Sequence, residues 1–276
     1  MQNAIHNPTL HYVTHGEGFP IIILHGFYLD HQPMIGACEP IFEARDGYQR
    51  IYIDMPGMGK TPSTGVNNSD DILKVILNFI DSLIPNQHFL LIGLSYGGYI
   101  ARGILKHKQA LVDGMMLIAP VIDANTRNIP DEQIIYRDSE AIEMIPSALQ
   151  PMLLSTLAVQ SKAVIRRIVD EFIGAMPQPQ QLPFLEHLRQ PQNYALSDNI
   201  DVLPTSFDKP TLILVGRQDT AVGYADAFPI ADQYTRASYV ALDRAGHGIH
   251  LEQDALYTLL CNEWLDRVKE AQQESR

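Results

Sequence analysis

The stretch from Phe89 to Lys106 limits the fold of this chain more than any other. An apolar run from Phe89 to Ile92 leads into Gly93-Leu94-Ser95-Tyr96-Gly97-Gly98, and a helix-like segment, Tyr99 to Lys106, follows. This sets a G-x-S-x-G pattern in the strand–turn–helix context that the pattern needs. A serine held on so tight a turn requires glycine two positions before and two after, because side chains there collide with the adjoining strand and helix. Ser95 is therefore expected to project above a sheet. Glycine-rich strand-to-helix turns without chemistry also occur in doubly wound sheets, so other residues have to decide between the two readings.

The remainder of the chain has the alternation such a sheet demands. Short apolar runs at Leu10–Thr14, Ile21–Leu24, Arg50–Asp54, Phe89–Leu94, Met115–Ala119, Thr211–Val215 and Ser238–Leu242 are separated by helix-period segments. That is the pattern of an α/β fold, a mostly parallel sheet covered by helices on both faces. Ile72, Val75, Ile76, Phe79, Ile80 and Leu83 form one helical face, opened by a cap at Ser69, and Leu256, Leu260, Trp264 and Val268 form a stripe on a final helix. Asn125 to Asp208 breaks the rhythm, with apolar helical segments divided by prolines and no clear strand. The expected organisation is a core in two parts, residues 1–124 and 209–276, with a helical cap at 125–208.

Composition narrows the function. The 276 residues are 46% hydrophobic and 19% charged, enough to bury a large core. A formal charge of -12, with no basic run, repels phosphate backbones and anionic lipid headgroups, so nucleic acid and membrane surfaces are not expected partners. Met1 to Leu10 lacks the basic stretch and apolar segment of a secretion signal, and no apolar run reaches membrane-span length. Only Cys38 and Cys261 are present, too few for a disulfide scaffold or a cysteine metal site. A cytoplasmic protein needing no metal or cofactor is the expectation.

A serine hydroxyl needs a base. Among ten histidines, His6, His11, His15, His88, His107 and His187 show no partner pattern, whereas His247 lies in Ala-Gly-His-Gly just past the strand ending at Leu242. A loop there shares the sheet end of Ser95 if the strands are parallel. A carboxylate must then orient the imidazole. Asp219, just past the strand ending at Val215, supplies it in the chain order Ser95, Asp219, His247; Asp123 is the alternative. The oxyanion of acyl transfer needs backbone N–H donors, one from Tyr96 and one from Phe27 after the strand Ile21–Leu24. His25 and His250 read as structural or packing residues.

His25-Gly26-Phe27, Asp54-Met55-Pro56-Gly57-Met58-Gly59, Gly93 to Gly98, Gly216-Arg217-Gln218-Asp219 and Gly246-His247 together resemble the α/β-hydrolase superfamily over nearly the whole chain. The resemblance implies an eight-stranded core, a helical cap and a cofactor-independent triad on Ser95, Asp219 and His247, with oxyanion roles on Phe27 and Tyr96. Met58-Gly59-Lys60-Thr61 mimics the tail of a phosphate-binding loop, but Asp54 stands where that loop has glycine. The implied activity is hydrolysis of a small-molecule carboxylic ester with a small to medium acyl group. The alternatives are a proline-type aminopeptidase, with Glu140 or Glu143 receiving the substrate ammonium, and a catalytically silent binding module. Lyase, carbon–carbon hydrolase and perhydrolase chemistry can also use these residues. Met144, Met152, Leu153, Leu154, Leu157 and Met176 are candidates for an acyl pocket.

Overall fold

The computed structural model of the chain describes residues 9–274. His6 and most of the segment read for an absent secretion signal lie outside them. In chain order, β1 (Tyr12–His15) and β2 (Phe19–Leu24) precede helix α1 (Gln32–Phe42), and β3 (Tyr48–Ile53) precedes α2 (Ser69–Leu83). β4 (Phe89–Leu94) feeds directly into α3 (Tyr96–Lys108), and β5 (Val112–Ile118) follows. An insertion then carries β6 (Tyr136–Arg137), β7 (Val159–Gln160) and α4 (Lys162–Arg167) among other short helices. The sheet resumes with β8 (Thr211–Gly216) and β9 (Ala237–Leu242), and the one-turn α5 (Ile249–Glu252) leads into α6 (Asp254–Glu274).

The strand order is β1-β3-β2-β4-β5-β8-β9, with only β1 antiparallel to its neighbour. All seven apolar runs read from the sequence are strands. The described residues hold seven strands in this sheet, not the eight the resemblance implies, because a single antiparallel strand precedes β2 within them. β4 and β8 are buried along their whole length, which is why they read as continuous apolar runs. α1 packs with α6, and α2 with α3.

Three local expectations change. Asn68, one residue before Ser69, caps α2 by accepting the Asp71 N–H at 2.9 Å. Ser69 faces inward, where its hydroxyl bonds the Tyr96 hydroxyl and the Tyr194 carbonyl. The buried stripe of α6 is Tyr257, Cys261, Trp264, Leu265 and Val268, while Leu256 is 44% exposed. Trp264 sets that rotation by donating its indole N–H to Pro210 O at 3.0 Å. The insertion also contains a strand pair, β6 with β7, too short to show a period in the sequence. Its apolar core joins Ala141, Ile145, Leu154, Ile165 and Ile168 to Leu251 of α5. No helix among the described residues is long and apolar enough to cross a membrane.

Candidate active site

Ser95 joins β4 to α3 with φ 54°, in the left-handed region that a residue with a Cβ adopts only under constraint. The constraint comes from both sides. Ser95 N–H donates to Ile118 O at 2.9 Å, and Ser95 O accepts from Val121 N at 3.1 Å and Tyr99 N at 3.2 Å. A Cβ on Gly97 would stand 2.5 Å from the carbonyl oxygens of Leu24 and His25, so the end of β2 can come this close only to glycine. These contacts fix the serine at the carboxyl end of the sheet, where α/β folds place their ligands.

His247 lies in the loop between β9 and α5, and its Nδ1–H donates to Asp219 Oδ2 at 2.8 Å. The other Asp219 oxygen accepts the N–H groups of Ala221 at 2.8 Å and Val222 at 3.0 Å, so the carboxylate cannot rotate away. Burial pulls the His247 imidazole down, but the Asp219 charge and hydrogen bond outweigh it and hold the group above its usual value. Asp123, the alternative acid, serves its own exposed turn by accepting from Asn125 N and Thr126 N. Asp219 is the acid that the fold brings to His247.

Ser95 and His247 line one cavity of about 300 Å³ with Phe27, Leu94, Leu157 and Phe172. Of the six apolar side chains proposed for a pocket, Met152, Leu153, Leu157 and Met176 line it; Met144 is largely exposed and Leu154 packs inside the insertion. Glu140 and Glu143 are exposed and do not line it. Phe27 follows β2 in a loop so close to the serine that a Cβ on Gly26 would meet Ser95 Cβ at 3.5 Å. Tyr96 opens α3, where N–H groups have no acceptor within the helix. The ring of Phe27 packs edge-on against Tyr96 and Tyr194.

His25 is fully buried and neutral, with Nδ1–H donating to Gly26 O at 2.7 Å and Nε2 accepting Met55 N–H at 3.0 Å. Several histidines have partners the sequence did not reveal, because the partners come from neighbouring elements 24 to 43 residues away. His88 meets Asp113, His15 meets Glu39, and His11 meets Asp54 at 2.7 Å. Asp54 also takes His31 Nδ1–H at 2.8 Å and the backbone N–H groups of His31 and Lys60. Burial opposes its charge, yet these donors and nearby imidazoles lower its carboxyl to about 2. The ligand atoms of His11, His31 and Asp54 lie within 4.8 Å of one another, a spacing a metal ion could use. Each Asp54 oxygen already accepts two N–H donors, so the cluster is fully explained as the tie that holds the Asp54–Gly59 turn.

One residue near His247, Glu252, escaped the sequence reading, and another, His250, has the packing role read for it. Glu252 is buried and accepts hydrogen bonds from Gly246, Ala158 and Val159. His250, read as a packing residue, is 1% exposed with neither ring nitrogen hydrogen-bonded, and burial lowers it to about 3. The place of Glu252 in a G-H-x-x-H-x-E run was a usable signal only with the insertion's backbone in view.

The family described as the alpha/beta hydrolase fold matches residues 20–254. Among curated relatives, the pimeloyl-(acyl-carrier protein) methyl ester esterase of Legionella pneumophila (strain Paris) is 25% identical over 264 residues, covering 93% of this chain and 99% of the relative. The AB hydrolase superfamily protein YisY of Bacillus subtilis (strain 168) is 27% identical over 249 residues, covering 86% and 88%. A solved α/β superfamily hydrolase from Oenococcus oeni PSU-1 superposes with a TM-score of 0.83 at 27% identity, over 94% of this chain and 96% of that one. With a matching family over most of its length and the family's sheet beneath a serine turn, the chain belongs to the α/β-hydrolase fold family.

Proposed function

We propose that the protein is a serine esterase that cleaves a carboxylic ester with an uncharged, small to medium acyl group through an acyl-enzyme on Ser95. The reading is carried by one arrangement: a serine on a strained turn shares an apolar cavity with a histidine already paired to a buried aspartate. Asp219 keeps the His247 proton on Nδ1, which leaves Nε2 as the base. His247 takes the Ser95 proton as Oγ attacks the ester carbonyl, and the N–H groups of Phe27 and Tyr96 receive the oxyanion. The imidazolium then gives its proton to the departing alkoxide. Water, deprotonated by His247, attacks the acyl-enzyme, the acid leaves and Ser95 regains its proton. The insertion serves as a cap, lending Met152, Leu153, Leu157 and Met176 to the acyl pocket.

Among the described residues the cavity lining contains no carboxylate, lysine or arginine, which favours a neutral acyl chain. Its volume lies at the lower end of the roughly 300–1,000 Å³ spanned by ligand sites, which favours short to medium chains. The aminopeptidase alternative is weakened because Glu140 and Glu143 are exposed and stand outside the cavity lining, so neither presents a carboxylate to a substrate ammonium from it. The name of the Legionella relative also supports ester hydrolysis.

The test is fluorophosphonate labelling and turnover of p-nitrophenyl esters of increasing chain length, with Ser95→Ala and proline p-nitroanilide alongside. Labelling and ester turnover should vanish in Ser95→Ala, with the best rate at a short or medium chain. A folded wild-type protein that neither labels nor turns over ester would overturn the proposal, as would turnover that survives in Ser95→Ala.

A further inference from the structure

The loop that carries His247 is held from the cap side by more than packing. His247 N–H donates to Thr156 O of the cap at 2.7 Å. The next loop residue back, Gly246, lies so near the cap that a Cβ there would stand 2.1 Å from Thr156 O. Glu252, five residues after His247 at the end of α5, joins the two segments. Its Oε1 accepts Gly246 N–H at 2.8 Å, while its Oε2 accepts Ala158 N–H at 2.8 Å and Val159 N–H at 2.7 Å. On the far side of α5, Arg167 of α4 donates to His250 O at 2.8 Å and to Gly36 O at 2.9 Å. Leu251, between them in sequence, packs into the cap's own apolar core.

We infer that Glu252 is a positioning residue that fastens the cap segment 156–159, which leads into β7, to the His247 loop, so that the docking of the cap and the placement of the catalytic imidazole are one event. The inference rests on the esterase reading for its consequence in catalysis, but the fastening itself does not. Physical chemistry requires something of this kind. Ala158, Val159 and Gly246 would otherwise bury three backbone N–H groups on two segments far apart in the chain, and an unpaired buried N–H group is costly. One carboxylate, with two oxygens on a short arm, satisfies all three and thereby fixes the distance between the segments. Glu252 touches none of the reacting atoms; it acts through Gly246 and the peptide of His247.

The charged and titratable groups around the clamp and His247 are His247 and His250 on its own loop and helix, Arg167 from α4, Arg127 from the segment after β5, which opposes the protonation of His247, Asp219 from the end of β8 and Asp254 at the start of α6. Burial pushes the Glu252 carboxyl up to about 7 against the opposing pull of the surrounding N–H groups. Its charge is among the influences that raise His247.

Glu252→Gln is the discriminating change. It conserves size, but whichever way the amide turns, an NH2 group confronts at least one backbone N–H. The experiment measures kcat and KM on the best p-nitrophenyl ester across pH, together with hydrogen exchange of residues 156–159 and 246–247 in wild type and variant. A misplacement of the base should lower kcat by about tenfold to a hundredfold with KM within about twofold, as for other errors of geometry remote from the substrate. The acid limb of the pH profile should move to lower pH by a fraction of a unit, because Glu252, itself titrating at about 7, carries part of its negative charge where His247 takes its proton and glutamine carries none; a purely structural role would leave the limb in place. Exchange at both segments should quicken together. An unchanged kcat or an unmoved acid limb in folded Glu252→Gln overturns the inference. So does wild-type exchange at Ala158, Val159 and Gly246 as fast as in exposed loops, a measurement that stands even if the variant fails to fold. The Ser95→Ala control separates the two failures: turnover surviving in it refutes the esterase reading, and the exchange data then judge the clamp alone.

Discussion

Replacing Asp219 by asparagine tests the geometry of the site more sharply than deleting the side chain. The Asp219 oxygen that does not face His247 is pinned by Ala221 N–H at 2.8 Å and Val222 N–H at 3.0 Å. An asparagine at 219 therefore keeps its carbonyl on those donors and turns its NH2 toward His247 Nδ1. The alternative flip sets an NH2 against two N–H groups, leaving two amides unpaired at a cost of about 2 kcal/mol or more. In the favoured orientation Nδ1 must accept, the imidazole proton moves to Nε2, and Nε2, the base of the proposed mechanism, can no longer take a proton. Restoring the working tautomer costs that same flip, and the lost charge-assisted bond to the imidazolium removes about 2 kcal/mol more. Together these amount to about 4 kcal/mol, a loss in kcat of about 10³-fold.

The assay is steady-state hydrolysis of the best p-nitrophenyl ester, with a thermal melt to confirm the fold and Asp123→Asn as the control. Asp123 accepts only within its own turn, so its variant should stay within about twofold of wild type. The pH profile gives a second readout. In the proposed mechanism neutral His247 is the active form, so wild-type activity should be lost as pH falls through a value held above the usual histidine range. Without the Asp219 charge, burial dominates and any residual activity should extend to lower pH. An Asp219→Asn enzyme that keeps more than about a tenth of the wild-type kcat, or an Asp123→Asn enzyme that falls equally, refutes the assignment.

Two further predictions concern stability. His250 is held neutral down to about 3 in the fold, whereas the unfolded chain protonates it near 6.5, so stability present above 6.5 is lost as pH falls. The loss is about 2 kcal/mol by pH 5, and His250→Phe should remove it; urea melts of both proteins at pH 7.5 and 5 check this, and parallel pH dependences would show the idea to be wrong. For Gly97→Ala, helix propensity alone predicts a gain of about 1 kcal/mol, since Gly97 is in α3. The new Cβ would press at 2.5 Å on the carbonyls of Leu24 and His25, so a net loss of about 1–3 kcal/mol is expected, read as a lower Tm with weaker fluorophosphonate labelling. A raised Tm would refute that close approach.

Much of the molecule was legible in its residues because the relevant signals are local. Strands buried on both faces must be apolar throughout, so β2, β4, β5 and β8 declare themselves as runs of Ile, Leu, Met and Val. The serine turn declares itself because only glycine tolerates the backbone contacts around it. Parallel strands then bring their following loops to one sheet end, which is why the chain order of Ser95, Asp219 and His247 could be read before their distances were known.

What escaped the sequence are matters of which distant atom meets which. Asp219 and Asp123 both follow strands of the same sheet; the residues alone favoured Asp219 but left Asp123 open, and the pinned Asp219 carboxylate is the one that stands 2.8 Å from His247. The histidine partners Asp54, Glu39 and Asp113, the apolar side chains that line the cavity, and the junction of Glu252 with Ala158 and Val159 likewise join segments with no shared period. The sequence by itself determined the sheet, the turn and the order of the candidate residues, because steric and hydrophobic requirements act along the chain. Only the tertiary structure decided which acid reaches the histidine and what holds the histidine in place, because hydrogen bonds between remote segments are set by the docking of whole elements.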